Sequence, residues 1–338
     1  MEPSGVFLLG LGATGALTYA FIQNAALWSM MDTPNERSLH VIPTPRGGGL
    51  VFVTVWALIV TTLYFLYFSE NQKQLIYFFL PSSLGVALLG AADDRFQLSA
   101  GFRLLIQTAL AAGFVFSMSL NSSMYFSVFL GFVLFTLGIV WSLNSFNFMD
   151  GTDGLAASQA IFVLLYEVFF MEPIGRLESF SHIALVGVLF GFLRWNTPPA
   201  RIFMGDVGSA FLGFYLGCLI FQRLYQGDVF VCGLLGCYSL FMVDTTLTLL
   251  RRILRGESWY KAHRSHAYQR LVHIANWSHK KLLLAFVLAN TCLFLGSAFF
   301  VDWMRQPWLG LGFSFGFALL VYFLIERIAP MNAVSRNS

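Results

Sequence analysis

Long apolar stretches alternate with short polar segments along most of this chain. A helix needs about 20 apolar residues to cross the hydrocarbon core of a bilayer. By that criterion the pattern predicts eleven spanning helices, at residues 5–28, 48–68, 75–92, 104–120, 124–143, 155–171, 182–195, 210–222, 229–249, 282–301 and 307–325. The pattern therefore predicts an all-α integral membrane protein, with one polytopic membrane domain over residues 1–338 and the first apolar segment retained as a helix.

Composition agrees with a membrane location. Hydrophobic residues make up 57% of the chain and charged residues only 11%, whereas an ordinary soluble domain has about 25% charged residues. The four cysteines lie within apolar stretches and lack the spacing of a metal site or a disulfide framework. We interpret them as small apolar packing residues.

The distribution of Lys and Arg predicts the orientation. Sixteen of the 20 basic residues fall on one side of the predicted membrane, and the other side keeps only Lys73, Arg176, Arg223 and Arg305. Because cytoplasmic loops carry the excess of positive charge, the N-terminus is predicted to be periplasmic and the C-terminus cytoplasmic. Five polar segments then share the cytoplasmic face, near residues 29–47, 93–103, 144–154, 194–209 and 250–281.

The densest polar segment reads Asn144-Ser-Phe-Asn147-Phe-Met-Asp150-Gly-Thr-Asp153-Gly154. Unsatisfied polar groups are costly inside the membrane, so this segment is expected at its surface. The glycines allow tight turns and close approach to a ligand. Asp150 and Asp153 share a face if the sixth span begins early enough to include them. Alternatively, an Asp here caps that span.

Two other segments carry carboxylates. Asp93-Asp94 ends the third span, where the two negative charges repel each other and oppose the helix dipole. That position favours a metal ligand or a general base, the alternative being a solvated helix end paired to Arg95. Phe203-Met-Gly-Asp206-Val-Gly-Ser leads into the eighth span, where an Asp can hold a divalent ion. Taken alone, that motif is equally consistent with a plain turn.

Two further features carry charge near or within the predicted membrane. Pro43-Thr-Pro-Arg46-Gly-Gly-Gly in the first polar segment predicts either a rigid connector or close approach to a phosphate. Asp244 is the one carboxylate expected well inside a span. A buried membrane Asp is a functional candidate, although a basic residue in a neighbouring loop would also satisfy it.

The last polar segment contains His263 and His266 together with eight Lys and Arg residues, among them Arg264 and Arg270. The His-x-x-His spacing resembles a metal pair, but no third ligand of zinc type is nearby. Binding of phosphate by His and Arg is the better interpretation. The alternative is basic charge that serves only to orient the chain in the membrane.

Taken together and in this order, these motifs resemble those of the polyprenyl-phosphate N-acetylhexosamine-1-phosphate transferases, of the glycosyltransferase 4 type, which include the phospho-MurNAc-pentapeptide translocases. The most specific part is Asn144-x-x-Asn147-Phe-x-Asp150-Gly-x-Asp153-Gly-Leu155, and the resemblance extends from Asp32 to about Leu271. It implies transfer of a sugar 1-phosphate from a UDP-sugar to undecaprenyl phosphate, with release of UMP. It also implies Mg²⁺, for which Mn²⁺ can substitute, and a multi-pass location in the bacterial inner membrane. It points to a homodimer among membrane lipids, and no nucleic acid partner is expected.

Matching positions carry the family's functional roles. Asn147 and Asp206 correspond to metal ligands, and Asp93, Asp94 and His266 to catalytic residues. The other matches correspond to substrate contacts, Phe203 and Asp153 for uracil and Arg103, Arg264 and Arg270 near the phosphates. We also predict substrate contacts at Asn144, Asp150 and His263.

The histidine segment departs from the family pattern. Many relatives read Ala-Asp-Arg-x-His-Leu-His-His-Arg, where this chain has His263 in place of the Asp and Tyr268 and Gln269 in place of the later histidines. This form resembles the branch that initiates O-antigen and lipopolysaccharide synthesis, which implies UDP-GlcNAc or a 6-deoxy relative such as UDP-FucNAc or UDP-QuiNAc. The alternative function is a transporter or flippase of lipid-linked sugars, which would need ionisable groups near the bilayer midplane.

Overall fold

The computed structural model describes residues 2–28, 30–34, 42–67, 78–119, 128–172, 175–257 and 263–332. Within them the helices are α1 Pro3–Asn24, α2 Gly48–Tyr67, α3 Leu80–Phe96, α4 Ala100–Ser119, α5 Val128–Met149, α6 Leu155–Phe170, α7 Arg176–Asn196, α8 Gly205–Tyr225, α9 Val231–Leu254, α10 Ala267–His273, α11 His279–Ser297 and α12 Pro307–Ile328. A π-helical turn, Ala298–Trp303, follows α11, and two-residue strands β1 (Met31–Asp32) and β2 (Thr44–Pro45) pair antiparallel.

The all-α membrane fold is confirmed. Nine helices among the described residues are long and apolar enough to cross a bilayer, and α6 is a shorter apolar helix. Each of the eleven predicted spans coincides with one of the long helices or with α3 or α6. Parts of the predicted spans at 68, 75–77, 120 and 124–127 lie outside the described residues, as do 29 and 35–41 in the first polar segment and 258–262 in the last.

The helices extend further into the polar segments than hydropathy predicts. The predicted spans 182–195 and 210–222 are the longer helices Arg176–Asn196 and Gly205–Tyr225, because charged residues at their ends lower the local hydropathy. Likewise α5 continues to Met149, so Asn144 and Asn147 lie on a helix. The short helix α10 within the last polar segment was not predicted.

The helix α8 is the centre of the bundle. Within its membrane-spanning window 89% of the residues are buried, against 22% for α11 and α12. Small residues let neighbouring helices approach it closely. A Cβ on Gly90 of α3 would lie 2.4 Å from the carbonyl oxygen of Asp206, and one on Gly213 would lie 2.6 Å from Cα of Leu143 in α5. The contact at Gly90 brings the carboxylates that end α3 next to the first turn of α8.

The expectation that Asp244 alone lies inside the spans is wrong. Glu167 of α6 is buried between helices and forms an ion pair with the buried Arg223 of α8. The Nδ1 atom of His182 in α7 lies 3.7 Å from the same carboxylate. Hydropathy does not reveal this group, because Glu167 is a single charge within a predicted span and Arg223 falls just beyond another.

Candidate active site

Four of the five predicted polar segments border one cavity of about 210 Å³. Its walls are mainly carboxylate, amide and backbone groups from residues that are distant in sequence. They are Asp32, Arg46, Asn147, Asp150, Gly151, Thr152, Asp153, Asn196, Phe203, Met204, Gly205, Asp206, Gln269 and His279. These segments therefore meet at the same end of the helical bundle, as the sequence predicted.

The fifth polar segment, residues 93–103, lies next to Asp206. The backbone N–H of Asp206 donates to the carboxylate of Asp94, with an N to Oδ2 distance of 3.1 Å. Asp93 forms an ion pair with Arg103 and accepts a hydrogen bond from the N–H of Leu98 at 2.8 Å. The Nη1 atom of Arg103 also lies 3.8 Å from Oδ2 of Asp206. The predicted residues Asp93, Asp94, Arg103 and Asp206 thus form one charged cluster.

Arg46 completes this cluster, and it was not among the predicted site residues. Its Nη2 atom lies 2.5 Å from Oδ1 of Asp94 and 2.9 Å from Oδ1 of Asp206. Its segment is held by backbone bonds: the N–H of Phe203 donates to Pro45 at 2.8 Å, and the N–H of Gly48 donates to Phe203 at 2.9 Å. The sequence signal was the Arg-Gly-Gly-Gly string, which we had interpreted as either a connector or a phosphate approach.

The turn between α5 and α6 forms another wall. Gly154 adopts a positive φ of 74° and is the N-cap of α6, which has no side-chain cap. Its N–H donates to Oδ1 of Asn196 at 3.0 Å, and Nδ2 of Asn196 donates to the carbonyl of Ile202 at 2.8 Å. Asp150 and Asp153 therefore neither cap α6 nor share a helical face. Both face the cavity from a turn that Asn196 ties to the segment before α8.

The cluster carries excess negative charge. Burial raises the pKa of Asp150 well above its ordinary value, and the negative charge of Asp206 adds to this rise, while Arg46 opposes it. Asp93 and Asp94 lie close behind, with Arg46 and Arg103 as the neighbouring guanidinium groups. A site with more carboxylates than cations favours the binding of a further cation.

The donor set fits Mg²⁺. Asp206 and Asn147, the predicted ligands, both line the cavity and offer the hard oxygen atoms that Mg²⁺ prefers. Among the described residues, no three His, Cys, Asp or Glu side chains are grouped as a metal site. Mg²⁺ commonly has one or two protein ligands, completed by water and substrate phosphates.

Asp153 is fixed on both of its oxygens. Oδ1 lies 3.0 Å from Nδ1 of His279, and Oδ2 accepts a hydrogen bond from the N–H of Ala200 at 3.0 Å. His279 begins α11 and lines the cavity. Sequence reasoning missed it because it follows the histidine segment without any motif. Phe203, the predicted uracil contact, is half-buried and also lines the cavity.

Asp244 positions the histidine segment. Its Oδ1 accepts a hydrogen bond from the N–H of Ala267 at 2.9 Å, and its Oδ2 accepts one from Tyr268 at 3.2 Å. The hydroxyl of Tyr268 in turn donates to the carbonyl of Phe148 at 2.9 Å. We had two alternatives for Asp244, a functional role or pairing with a basic residue of a neighbouring loop; its main partners are backbone N–H groups of α10, with His266 as the nearby basic side chain. Asp244 holds the first turn of α10 against the end of α5.

The two histidines lie beside the cavity lining rather than in it. His266 is buried, stacks on Phe148 with ring centroids 5.7 Å apart, and has its Nδ1 3.4 Å from Oδ1 of Asp244. The ring of His263 is 4.8 Å from that of His266. Burial, then the proximity of His266 and Arg252, lowers the pKa of His263 to about 3. His263 is therefore neutral at physiological pH.

Arg270 anchors α10 to the end of α12. It is fully buried, and its Nη1 donates to Oε2 of Glu326 and to the carbonyl of Ala329, both at 2.6 Å. Glu326 also accepts two hydrogen bonds from Arg251, at 2.6 and 2.9 Å. In this structure the guanidinium of Arg270 is thus engaged by a carboxylate rather than presented to the cavity.

The predicted residues divide into three groups. Asn147, Asp150, Asp153, Phe203 and Asp206 line the cavity, and Asp93, Asp94 and Arg103 adjoin it through Asp206. The others do not line it: they are Asn144, His263, Arg264, His266 and Arg270. Asn144 instead donates to Gln107 of α4 at 3.0 Å and to the carbonyl of Val140 at 2.8 Å.

Comparison with known proteins finds relatives over most of the chain. A probable undecaprenyl-phosphate N-acetylglucosaminyl 1-phosphate transferase of Bacillus subtilis (strain 168) is 29% identical over 286 residues, covering 79% of this chain and 78% of that protein. An undecaprenyl-phosphate alpha-N-acetylglucosaminyl 1-phosphate transferase of Thermotoga maritima is 28% identical, covering 80% and 82%. A phospho-N-acetylmuramoyl-pentapeptide-transferase of Chlamydia trachomatis serovar D is 34% identical, covering 55% and 65%.

The family described as glycosyl transferase family 4 matches residues 75–223. That region contains the Asp93-Asp94 pair, the turn between α5 and α6, and the segment that begins α8. Arg46, the histidine segment and His279 lie outside it. The resemblance inferred from the motifs is confirmed for this region: residues 75–223 of this multi-pass membrane protein carry a glycosyl transferase family 4 domain.

Proposed function

We propose that this protein transfers N-acetylhexosamine 1-phosphate from a UDP-sugar to undecaprenyl phosphate and releases UMP. The observation that carries the proposal is the convergence of Asn147, Asp150, Asp153, Phe203 and Asp206 on one polar cavity, with Asp93 and Asp94 adjoining it. The Bacillus and Thermotoga relatives are named for the same type of reaction, which supports the proposal. Phosphoryl transfer needs positioning and charge neutralisation, and this set of residues suits both tasks.

The donor is expected to lie with its uridine between Phe203 and Asp153 and its diphosphate towards Asp206. Asn147 and Asp206 would hold Mg²⁺, which when bound neutralises the phosphate oxygens and orients them. His279 and the N–H of Ala200 fix the carboxylate of Asp153 for a contact with the base. Arg103, beside Asp206, is placed to stabilise charge on the departing UMP.

Within the acidic pair, Asp94 is better placed to meet the acceptor. Asp93 is buried and committed to Arg103 and to the N–H of Leu98. Asp94 is more exposed and contacts the first turn of α8. We therefore propose that Asp94 orients the lipid phosphate and takes up any remaining proton, while Asp93 holds Arg103 in position. The acceptor oxygen then attacks the β-phosphorus of the donor in line, and the bond from that phosphorus to the oxygen bridging to UMP breaks.

The stereochemistry of the transferred phosphorus tests direct attack. A donor with a chiral thiophosphate at the transferred position should give inversion of configuration, because a single in-line displacement inverts. Retention would require two displacements and hence a covalent enzyme intermediate, which would overturn the direct mechanism.

The proposal for the sugar and the pathway rests on the form of the histidine segment. Its His-Arg-Ser-His-Ala-Tyr-Gln form supports GlcNAc or a 6-deoxy relative such as FucNAc or QuiNAc, and a role in starting O-antigen or another cell-envelope glycan at the cytoplasmic face of the inner membrane. A panel of UDP-N-acetylhexosamines and their 6-deoxy forms, tested with one lipid acceptor, identifies the sugar. If a donor without the N-acetyl group were used as efficiently as the best donor of the panel, the proposed class of sugar substrate would be wrong.

The transporter alternative has less support. Asp244 is a buried carboxylate that a transporter could use. Both of its oxygens, however, accept hydrogen bonds from backbone N–H groups of α10, and it lies beside His266. The other buried group, Glu167 with Arg223, is internally paired. Transport through the protein would require these groups to be available to a substrate or a coupling ion.

A further inference from the structure

The positively charged guanidinium of Arg46 lies between two carboxylates. Its Nη2 atom lies 2.5 Å from Oδ1 of Asp94 and 2.9 Å from Oδ1 of Asp206. Its side chain is 36% exposed although it contacts two carboxylates. It lines both the active-site cavity and a second cavity of about 180 Å³ next to Leu50 and Ala91. Arg46 therefore borders open space in two cavities.

The backbone of Arg46 is fixed although its side chain is partly exposed. Its N–H donates to the carbonyl of Met30 at 2.9 Å. The following N–H groups of Gly47 and Gly48 both donate to the carbonyl of Phe203, at 3.2 and 2.9 Å. Any movement of the charge must then come from rotation of the long side chain, which needs no change in the helices.

We propose that Arg46 is an exchangeable counter-ion. It neutralises Asp94 and Asp206 until a divalent cation binds Asp206, and it then pairs with the diphosphate of the donor. The part of this inference that concerns the donor diphosphate rests on the proposed function. The argument is one of competition: a cation that ligates Oδ1 of Asp206 needs the same oxygen that Nη2 of Arg46 now contacts.

The released guanidinium has a suitable new partner. Arg pairs with phosphate through the same fork of N–H donors that it uses for carboxylates. Since Arg46 lines the cavity with Asp206, the donor phosphates lie within reach of a side-chain rotation. There Arg46 would stabilise negative charge that develops on the leaving UMP. A residue without charge at this position would leave the carboxylates unpaired and the phosphates less neutralised.

Two effects of opposite sign distinguish this role from a structural one. In Arg46→Ala, Mn²⁺ should bind more tightly than in the wild type, by about tenfold, because the competing guanidinium is gone. UMP release should fall by about 100-fold, because the charge on the donor phosphates is lost. General damage to the site would weaken metal binding and activity together.

The metal measurement uses the purified full chain in detergent after treatment with a chelator. Free Mn²⁺ is followed by electron paramagnetic resonance during a titration without either substrate. Arg46→Lys keeps the charge and should bind Mn²⁺ within about threefold of the wild type. Arg95→Ala removes an exposed cation next to Asp94 that has no ion pair among the described residues, and it should change Mn²⁺ affinity by less than about twofold.

The outcomes separate this inference from the proposed function. Mn²⁺ binding by Arg46→Ala that is equal to or weaker than that of the wild type overturns the counter-ion, even if the wild type is fully active. If the wild type releases no UMP from any donor, the proposed function fails, and so does the proposed pairing of Arg46 with the donor diphosphate. The Mn²⁺ comparison still tests whether Arg46 competes with the metal, because it needs no substrate.

Discussion

The Nδ1 atom of His279 lies 3.0 Å from Oδ1 of Asp153, at the cavity where the predicted uracil contacts meet. His279 is the first residue of α11, and Asp153 belongs to the turn before α6. The N–H of Ala200 donates to the other oxygen of Asp153 at 3.0 Å. Two separate segments thus fix the direction of a carboxylate on a third.

His279→Ala should weaken donor binding with little effect on the chemical step. Without His279, Asp153 is no longer oriented towards the uracil base. The ground state and the transition state use that contact equally. The KM for the UDP-sugar should rise by about tenfold while kcat changes by less than about twofold. Steady-state kinetics of UMP release measure both. His273→Ala, an exposed position in α10, is the control. A loss confined to kcat would contradict this role.

Gly90→Ala should destabilise the contact between α3 and α8. The added Cβ would lie 2.4 Å from the carbonyl oxygen of Asp206, so the helices must separate. Overpacking of this kind costs about 1–3 kcal/mol. Thermal unfolding in detergent should show a lower Tm, and activity should fall because Asp94 and Asp206 move apart. Gly101→Ala in α4 is the matched control, since its Cβ would meet nothing within 4 Å. Equal Tm values for the two variants would show that the close contact is unimportant.

Glu326→Gln should loosen the histidine segment. Glu326 is the common partner of Arg251 and the fully buried Arg270, so its neutralisation leaves Arg270 without a compensating charge. Breaking a buried pair in this way costs about 3 kcal/mol. We expect a lower Tm together with slower UMP release. Glu257→Gln, which affects the more exposed pair with Arg252, should cost less than about 1 kcal/mol. A wild-type Tm for Glu326→Gln would refute the anchoring role.

Asp150 should make the stability of the protein depend on pH. Burial, and then the charge of Asp206, raises its pKa in the folded protein above the value of about 4 expected when unfolded. The folded protein therefore binds the proton more tightly, and stability falls as pH rises from about 4 through the raised pKa. In metal-free buffer, Asp150→Asn should show a smaller decrease of Tm over this range than the wild type. Parallel Tm curves for the two proteins would contradict the assignment.

The helices, and the site residues that belong to motifs, were predictable from local sequence. Spans follow from the hydropathy of about 20 neighbouring residues, which a sequence displays directly. Asn147 and Asp206 were placed together because each belongs to a recognisable motif. The ends of α7 and α8 were less predictable because charged residues such as Arg176 and Asp206 lie within the helices themselves.

The remaining contacts depend on pairing between distant segments. Nothing near Arg46 in the sequence indicates that it meets Asp94 and Asp206, since the approach depends on backbone bonds to Phe203. Similarly, Arg270 has the residue type and position of a phosphate ligand. Only the fold reveals that Glu326 at the end of α12 already pairs with it.

The decisive measurement is UMP release by the purified protein supplied with UDP-N-acetylhexosamines, undecaprenyl phosphate and Mg²⁺, with the lipid product analysed in parallel. We predict UMP and lipid-linked sugar in equal amounts, only when both substrates are present, and a loss of at least about 100-fold in Asp206→Ala. No UMP with any donor, UMP without lipid acceptor, or wild-type activity in Asp206→Ala would contradict the proposed reaction or its metal site.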